Sequence, residues 1–230
     1  MRPVRIVPGF ISQASGSALI EVGRTRVICT ASIESGVPHW LRGSGKGWIT
    51  SEYGMLPAST NTRSQRESSR GKVGGRTHEI QRLIGRSLRA IAPLELLGER
   101  TVWVDCDVIE ADGGTRTASI TGAFVALYLA FHEIVKSGGL AKVPLTDYVA
   151  AASVGVVKGV PMLDLCYEED SSADVDMNLV MTGSGKFIEI QATGEHATFD
   201  DSEVGELMKL GRAGIAQLIE AQKAVLPSSL

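Results

Sequence analysis

Residues 105–123 read DCDVIEADGGTRTASITGA, and this one stretch predicts a strand, a glycine turn and the start of a helix. The valines and the isoleucine before the glycines predict a strand over residues 101–111. A helix is predicted over residues 117–136, and residues 123–131 within it are apolar on nearly all sides. Since a helix that is apolar all round is normally buried, we expect this one at the centre of the core.

The rest of the chain predicts strands and helices that pack around this central helix. Strands are predicted at residues 17–22, 26–35, 48–55, 148–157, 160–167, 176–181 and 186–191, and helices from residue 77 to about 93 and over residues 201–225. Runs of strands followed by helices indicate an α+β protein with a two-layer fold. No long linker interrupts the pattern, so residues 1–230 are predicted to form a single domain.

Composition restricts the class of protein. Apolar residues make up 43% of the chain and charged residues 21%, which is typical of a globular protein. No uninterrupted apolar run is long enough to span a membrane, and the first residues do not resemble a signal peptide. The odd number of cysteines predicts buried thiols rather than a disulfide framework. We therefore expect a cytoplasmic protein without a membrane partner.

A local basic patch is predicted although the net charge is −3. Residues 61–90 hold eight basic side chains against only Glu67 and Glu79. Because charges act mainly within a Debye length of about 10 Å, such a patch can bind a polyanion on an acidic protein. The alternative is a solvated helix face without a partner. Residues 57–75 are polar and lack an apolar period, which predicts a long exposed loop.

Two segments each combine glycines, an arginine and threonine just before a predicted helix. Gly74-Gly75-Arg76-Thr77 precedes the first predicted helix, and Gly113-Gly114-Thr115-Arg116-Thr117 precedes the second. Helix starts offer unpaired N–H groups, glycines let an anion approach closely, and arginine offers a planar fork for phosphate. The alternative for each segment is an ordinary helix start with threonine as the N-cap. Two copies in one chain favour a shared phosphate site.

An acidic segment spans residues 168–176 and reads EEDSSADVD. Alternation along a strand would place Asp174 and Asp176 on one face. Neighbouring carboxylates repel one another unless a cation or a proton compensates, so the cluster could hold Mg²⁺ or supply a general acid. The alternative is a solvated acidic loop. Basic groups for a phosphate nucleophile and carboxylates for a metal or a proton together suit phosphoryl transfer.

Four long motifs closely resemble the ribonuclease PH family. They are GWITSEYGMLP at residues 47–57, GGRTHEIQRLIGRSLRA at 74–90, DCDVIEADGGTRTASITGA at 105–123 and EDSSADVDMNLVM at 169–181. They occur in the order of the family, and the resemblance covers essentially the whole chain. It implies the two-layer α+β fold shared with polynucleotide phosphorylase and the exosome core subunits.

The resemblance also implies an activity and an assembly. Members of this family use inorganic phosphate to remove 3′-terminal nucleotides of tRNA precursors as nucleoside diphosphates, in a reversible nucleotidyl transfer. Involvement in rRNA processing is implied as well. The assembly is a homo-hexamer built as a trimer of dimers.

Residue by residue, the resemblance assigns three groups of side chains. The phosphate ligands match Arg76, Gly114, Thr115 and Arg116. The catalytic carboxylates match Asp170 and Asp176, with Mg²⁺ as the expected cation. The basic RNA-contact loop matches the region of Arg63, Arg66 and Arg70. Whether Asp176 is a metal ligand or a general acid stays open.

Two other functions remain as alternatives. One is a non-catalytic ring subunit that binds RNA and serves as a scaffold, which would be expected to lose the arginine motifs or the acidic cluster. The other is a metal-dependent hydrolytic nuclease, which would have no need for two arginine-bearing helix starts.

Overall fold

The computed structural model of the chain describes residues 1–227, with every side chain among them except that of Arg70. The strands are β1 Val4–Pro8, β2 Gly16–Val22, β3 Thr25–Ser35, β4 Trp48–Met55, β5 Arg100–Glu110, β6 Val149–Val157, β7 Val160–Leu163, β8 Val175–Thr182 and β9 Phe187–Gly194. The helices are α1 Gly75–Arg89, α2 Thr115–Lys136, α3 Tyr167–Asp170 and α4 Asp201–Val225. Short 3-10 turns lie at His39–Leu41, Glu67–Arg70 and Leu94–Leu97.

The strands form two sheets, one in each half of the chain. The first sheet has the order β1-β2-β3-β5-β4, in which β4 and β5 are parallel and the other pairs are antiparallel. The second sheet is antiparallel, with the order β7-β6-β8-β9. Each sheet packs against helices, which confirms the predicted two-layer α+β fold.

Helix α2 is the centre of the core, as its apolar sequence predicts. It contacts β2 and β3 of the first sheet and β6 of the second. Phe124, Tyr128 and Phe131 are almost completely buried along it. Gly122 lets the helix approach the first sheet, because a Cβ there would lie 2.7 Å from Ile20. By length and hydropathy α2 could cross a membrane, but 72% of its most apolar window is buried inside the protein.

Several predicted boundaries are wrong, and each error has a local cause. Both helices begin two residues earlier than predicted, because Gly74 and Gly114 occupy the N-cap positions and the threonines lie inside the helices. The predicted strand over residues 160–167 ends at Leu163, because Asp164 takes a left-handed conformation with φ 62°. Strand β1 was not predicted, since its five residues include an arginine and a proline.

The acidic segment is also arranged differently from the prediction. Strand β8 begins at Val175, so Asp174 precedes the strand and does not share its alternation with Asp176. Part of the segment forms the short helix α3, whose last residue is Asp170. The carboxyl that lies near Asp176 is consequently that of Asp170.

Candidate active site

A cavity of about 330 Å³ lies where the two halves of the chain meet. Its lining includes all six predicted phosphate-site and carboxylate residues, which are Arg76, Gly114, Thr115, Arg116, Asp170 and Asp176. These residues come from the starts of α1 and α2, from α3 and from β8. The fold therefore brings together groups that are far apart along the chain.

The start of α2 is shaped to receive an anion. Gly113 and Gly114 both adopt positive φ, of 76° and 65°, which is the region that favours glycine. Gly114 is the N-cap, and no side chain caps the helix there, so the first N–H groups are open to a ligand. Tyr53 donates a hydrogen bond to the Thr115 hydroxyl over 2.9 Å, which leaves the Thr115 proton available to an anion.

Arg116 is held in place by two polar side chains from other elements. Its Nη1 lies 3.2 Å from Glu79 Oε1 on α1 and 3.2 Å from Gln191 Oε1 on β9. Gln191 also donates to Glu79 over 3.1 Å. The guanidinium is only 22% exposed, so its direction is set before a ligand arrives. Sequence analysis missed both partners, because neither stands in a motif with Arg116.

Arg76 is the more exposed of the two arginines. It lies in the first turn of α1, where its Nη1 is 3.8 Å from the sulfur of Met55. Its charge opposes the rise in the pKa of Asp170, which places it close enough to that carboxyl for a Coulombic effect. Arg76 and Arg116 thus place two positive charges on one cavity that also contains carboxylates.

The two carboxyls have raised pKa values. Burial raises the pKa of Asp176 to about 6, the charge of Asp170 adds to this, and Arg116 opposes it. Asn178 donates a hydrogen bond to Asp176 over 3.2 Å. Burial within the cavity also raises the pKa of Asp170, although the residue as a whole is exposed at the rim. A carboxyl that titrates near neutral pH can both hold and release a proton.

A further cluster, here called the Arg2 clamp, consists of Arg2, Asp112 and Asp164. The Arg2 side chain donates to Asp164 through Nε over 3.0 Å and through Nη2 over 2.7 Å, and to the carbonyl oxygen of Asp112 through Nη1. Asp112 directly precedes the glycines of the α2 start, and Asp164 precedes α3. The clamp therefore connects the phosphate-site loop to the segment that carries Asp170.

The predicted RNA-contact loop lies outside the cavity lining. Arg63 and Arg66 are exposed. Arg66 lines an adjoining groove of about 380 Å³ that shares Arg76 with the cavity. The side chain of Arg70 lies outside the described part of the structure. The groove supplies a route along which a polyanion could approach the cavity.

The residues fit a divalent cation bound jointly with a substrate. Across residues 1–227 no group of three or more histidine, cysteine or acidic side chains is arranged to hold a metal. Mg²⁺, however, is commonly bound by one or two carboxylates together with substrate phosphates. Asp170 and Asp176 are two carboxylates that line one cavity.

The pKa of Asp176 gives a stability prediction. We expect Asp176→Asn to raise the free energy of unfolding by about 3 kcal/mol once the pH is well above the folded pKa of about 6, because a pKa raised from 3.8 to about 6 makes ionisation unfavourable in the folded protein. The stability contributed by the protonated carboxyl is complete below the unfolded pKa and is lost as the pH rises through about 6. Denaturant unfolding from pH 4 to 8 measures this, and a pH-independent difference between variant and wild type would contradict it.

Comparison with known proteins gives two family matches. A model described as "3′ exoribonuclease family, domain 1" matches residues 1–132, and one described as "3′ exoribonuclease family, domain 2" matches residues 147–214. The arginines and glycines of the cavity lie in the first match, and both carboxylates lie in the second.

Similar proteins cover almost the whole chain. Ribonuclease PH of Solibacter usitatus is 60% identical over 226 residues, which are 98% of this chain and 95% of the relative. Ribonuclease PH of Bacillus subtilis is 59% identical over 232 residues, covering 100% of this chain and 94% of the relative.

Solved structures show the same fold at lower identity. The Archaeoglobus fulgidus exosome with RNA bound to the active site matches with a TM-score of 0.80 at 22% identity, covering 95% of this chain and 87% of that chain. Rice Rrp46 matches with a TM-score of 0.77 at 20% identity, covering 97% of this chain and 94% of that chain.

Proposed function

The chain belongs to the ribonuclease PH group of the 3′ exoribonuclease family, and we propose that inorganic phosphate binds between the starts of α1 and α2 to attack the last phosphodiester of an RNA. The protein is a phosphate-dependent 3′→5′ exoribonuclease that acts in tRNA processing. The proposed placement of inorganic phosphate rests on one observation. The predicted phosphate ligands and the two carboxylates line a single cavity although they come from opposite halves of the chain.

The phosphate nucleophile is held by charge and by open N–H groups. Arg116, oriented by Glu79 and Gln191, offers a planar fork, and Arg76 adds a second positive charge. The N–H groups behind Gly114 and the Thr115 hydroxyl supply further donors. This arrangement reduces the repulsion between an anionic nucleophile and an anionic backbone.

The proposed reaction forms one bond and breaks one bond, and it needs no reactant besides phosphate and RNA. An oxygen of inorganic phosphate forms a bond to the phosphorus of the terminal nucleotide, and the bond from that phosphorus to the 3′ oxygen of the preceding nucleotide breaks. The departing 3′ oxygen needs a proton, and we assign its donation to Asp176, a role that the pKa of about 6 supports. The products are a nucleoside diphosphate and an RNA shortened by one nucleotide.

Asp170 would hold Mg²⁺ in this proposal, joined by Asp176 if that residue is a metal ligand and not the general acid. When bound, the ion would neutralise charge on phosphate oxygens. The charge of Asp170 contributes to the raised pKa of Asp176, and this supports such a role because a cation would relieve the repulsion between the two carboxylates.

The proposed substrates are tRNA precursors and other RNAs with free 3′ ends. Exposed Arg63 and Arg66, together with Arg70, would contact the RNA backbone outside the cavity. The groove that Arg66 and Arg76 share supports this path.

The proposed assembly is a homo-hexamer, a trimer of dimers, located in the cytoplasm, whose subunits each fold as one domain. Large apolar side chains with exposed fractions of 44–57% support a surface covered by other copies, and these are Phe10, Trp40, Leu96, Val160 and Ile190. Packing of α2 on both sheets supports the single domain. A sedimentation mass of one chain at micromolar concentration would argue against the hexamer.

The activity is tested with a short RNA that has a free 3′ end, incubated with the protein and Mg²⁺ in the presence and absence of inorganic phosphate. We expect nucleoside diphosphates that form only with phosphate. Nucleoside monophosphates that form without phosphate would instead indicate a hydrolytic nuclease. A folded protein that binds the RNA and yields no product would indicate the scaffold function.

A further inference from the structure

Ser153 is a buried residue on the floor of the cavity whose hydroxyl has no partner. It lies in β6, is 5% exposed and belongs to the cavity lining. Its Oγ makes no hydrogen bond to any described atom. Its backbone is fixed, because its carbonyl oxygen accepts a hydrogen bond from the N–H of Asp164 over 2.8 Å.

The sheet register places this hydroxyl beside the catalytic carboxyl. Ser153 is directly opposite Asn178 on β8, and the next pair on the same face is Gly155 opposite Asp176. The Asn178 amide is already engaged, since it donates to Asp176 over 3.2 Å. The Ser153 hydroxyl, by contrast, has no hydrogen-bond partner within this strand pair.

Several other buried hydroxyls do have a partner in the fold. Ser87 donates to the Leu83 carbonyl and Ser119 to the Thr115 carbonyl, each over 2.8 Å within a helix. An unsatisfied buried hydroxyl is unfavourable, and few remain in native proteins. A bound group that accepts a hydrogen bond would satisfy this orphan hydroxyl in the lining of a charged cavity.

The charges around the cavity define that group. Arg76 and Arg116 attract an anion, and a serine hydroxyl can donate to an anionic oxygen. We propose that the Ser153 hydroxyl donates a hydrogen bond to a phosphate oxygen of the bound reactants, an inference that rests on the proposed function. The oxygen belongs either to inorganic phosphate or to the terminal phosphodiester of the RNA, and these two sources share the same chemistry.

The test uses Ser153→Ala and a matched control. Ser59 is also a buried serine, 4% exposed, whose Oγ has no partner, but it is not part of the cavity lining. Melting of wild type, Ser153→Ala and Ser59→Ala is measured alone, with inorganic phosphate, and with a short RNA in the absence of phosphate. The KM values for phosphate and for RNA are measured in parallel.

Without ligand, we expect both variants to melt at or above the temperature of the wild type, because each loses an unsatisfied hydroxyl. With ligand, Ser153→Ala should bind one of the two reactants about tenfold more weakly, the loss expected for one hydrogen bond to a charged group. Ser59→Ala should bind both as the wild type does. Weakening in the phosphate series assigns the contact to the nucleophile, and weakening in the RNA series assigns it to the phosphodiester.

Two outcomes overturn the inference while leaving the proposed function intact. In the first, phosphate and RNA raise the melting temperature of the wild type, and they raise that of Ser153→Ala by the same amount. In the second, Ser153→Ala and Ser59→Ala bind the reactants equally weakly, which would reflect a general packing effect. If Ser153→Ala is unfolded by circular dichroism, Ser153→Cys, which keeps the volume but is a weak donor, takes its place and the same comparison decides. Failure of the proposed function looks different, because the wild type itself would then form no nucleoside diphosphate.

Discussion

Asp176→Asn is expected to lower kcat by about 10²–10⁴-fold, the contribution typical of a positioned general acid. The carboxyl is buried beside Asp170, and its pKa of about 6 keeps a proton available near neutral pH. Asparagine has nearly the same shape but no acidic proton to donate. The rate of nucleoside diphosphate release at saturating RNA and phosphate measures the effect.

A matched control for this variant stands two residues earlier. Asp174 precedes β8, does not line the cavity, and is changed to asparagine with the same loss of charge. We expect Asp174→Asn to keep most of the activity of the wild type. An Asp176→Asn variant that keeps wild-type kcat would remove this carboxyl from the reaction.

The same variant separates the two roles left open for Asp176. If the residue mainly holds Mg²⁺, excess Mg²⁺ should restore a large part of the activity of Asp176→Asn, since binding is then the deficit. If it mainly donates a proton, added Mg²⁺ should leave kcat low.

Arg116→Ala is expected to raise the KM for phosphate by about 10–100-fold, which corresponds to the loss of a charge-assisted hydrogen bond worth about 1.5–3 kcal/mol. The guanidinium is 22% exposed and is oriented by Glu79 and Gln191 before phosphate arrives. The fold should stay intact, because both partners can reach water when the arginine is removed.

Initial rates across a phosphate titration measure this effect, with circular dichroism to check the fold. Arg82→Ala is the control, since Arg82 is an exposed arginine of α1 outside the cavity lining and its loss changes the net charge equally. Unchanged phosphate dependence in Arg116→Ala would show that the phosphate site is misplaced.

Sequence patterns predicted those parts of the site that depend on neighbouring residues. A glycine pair before a helix gives the local geometry of the phosphate loop, so Gly114 to Arg116 could be selected without a structure. The apolar stretch of α2 likewise predicted the centre of the core. Their roles in catalysis stay predictions, whereas their common position on one cavity is a structural finding.

The remaining parts depend on contacts that no local pattern contains. Arg2 meets Asp164 across 162 residues of chain, and Gln191 meets Glu79 across 112. The burial of Ser153 against Asn178 follows only from the register of β6 and β8. The α3 turn could not be predicted either, because its four residues are too few to show a helical period.

The Arg2 clamp has a consequence for how the protein is made. Arg2 is translated well before Asp164, Asp170 and Asp176, which lie 162 or more residues later in the chain. Until then the guanidinium has no Asp164 to bind, and the cavity lacks both carboxylates. A nascent chain that ends before Asp170 therefore contains the glycines and arginines of the cavity without its two carboxylates, so we expect such a chain to be inactive on RNA.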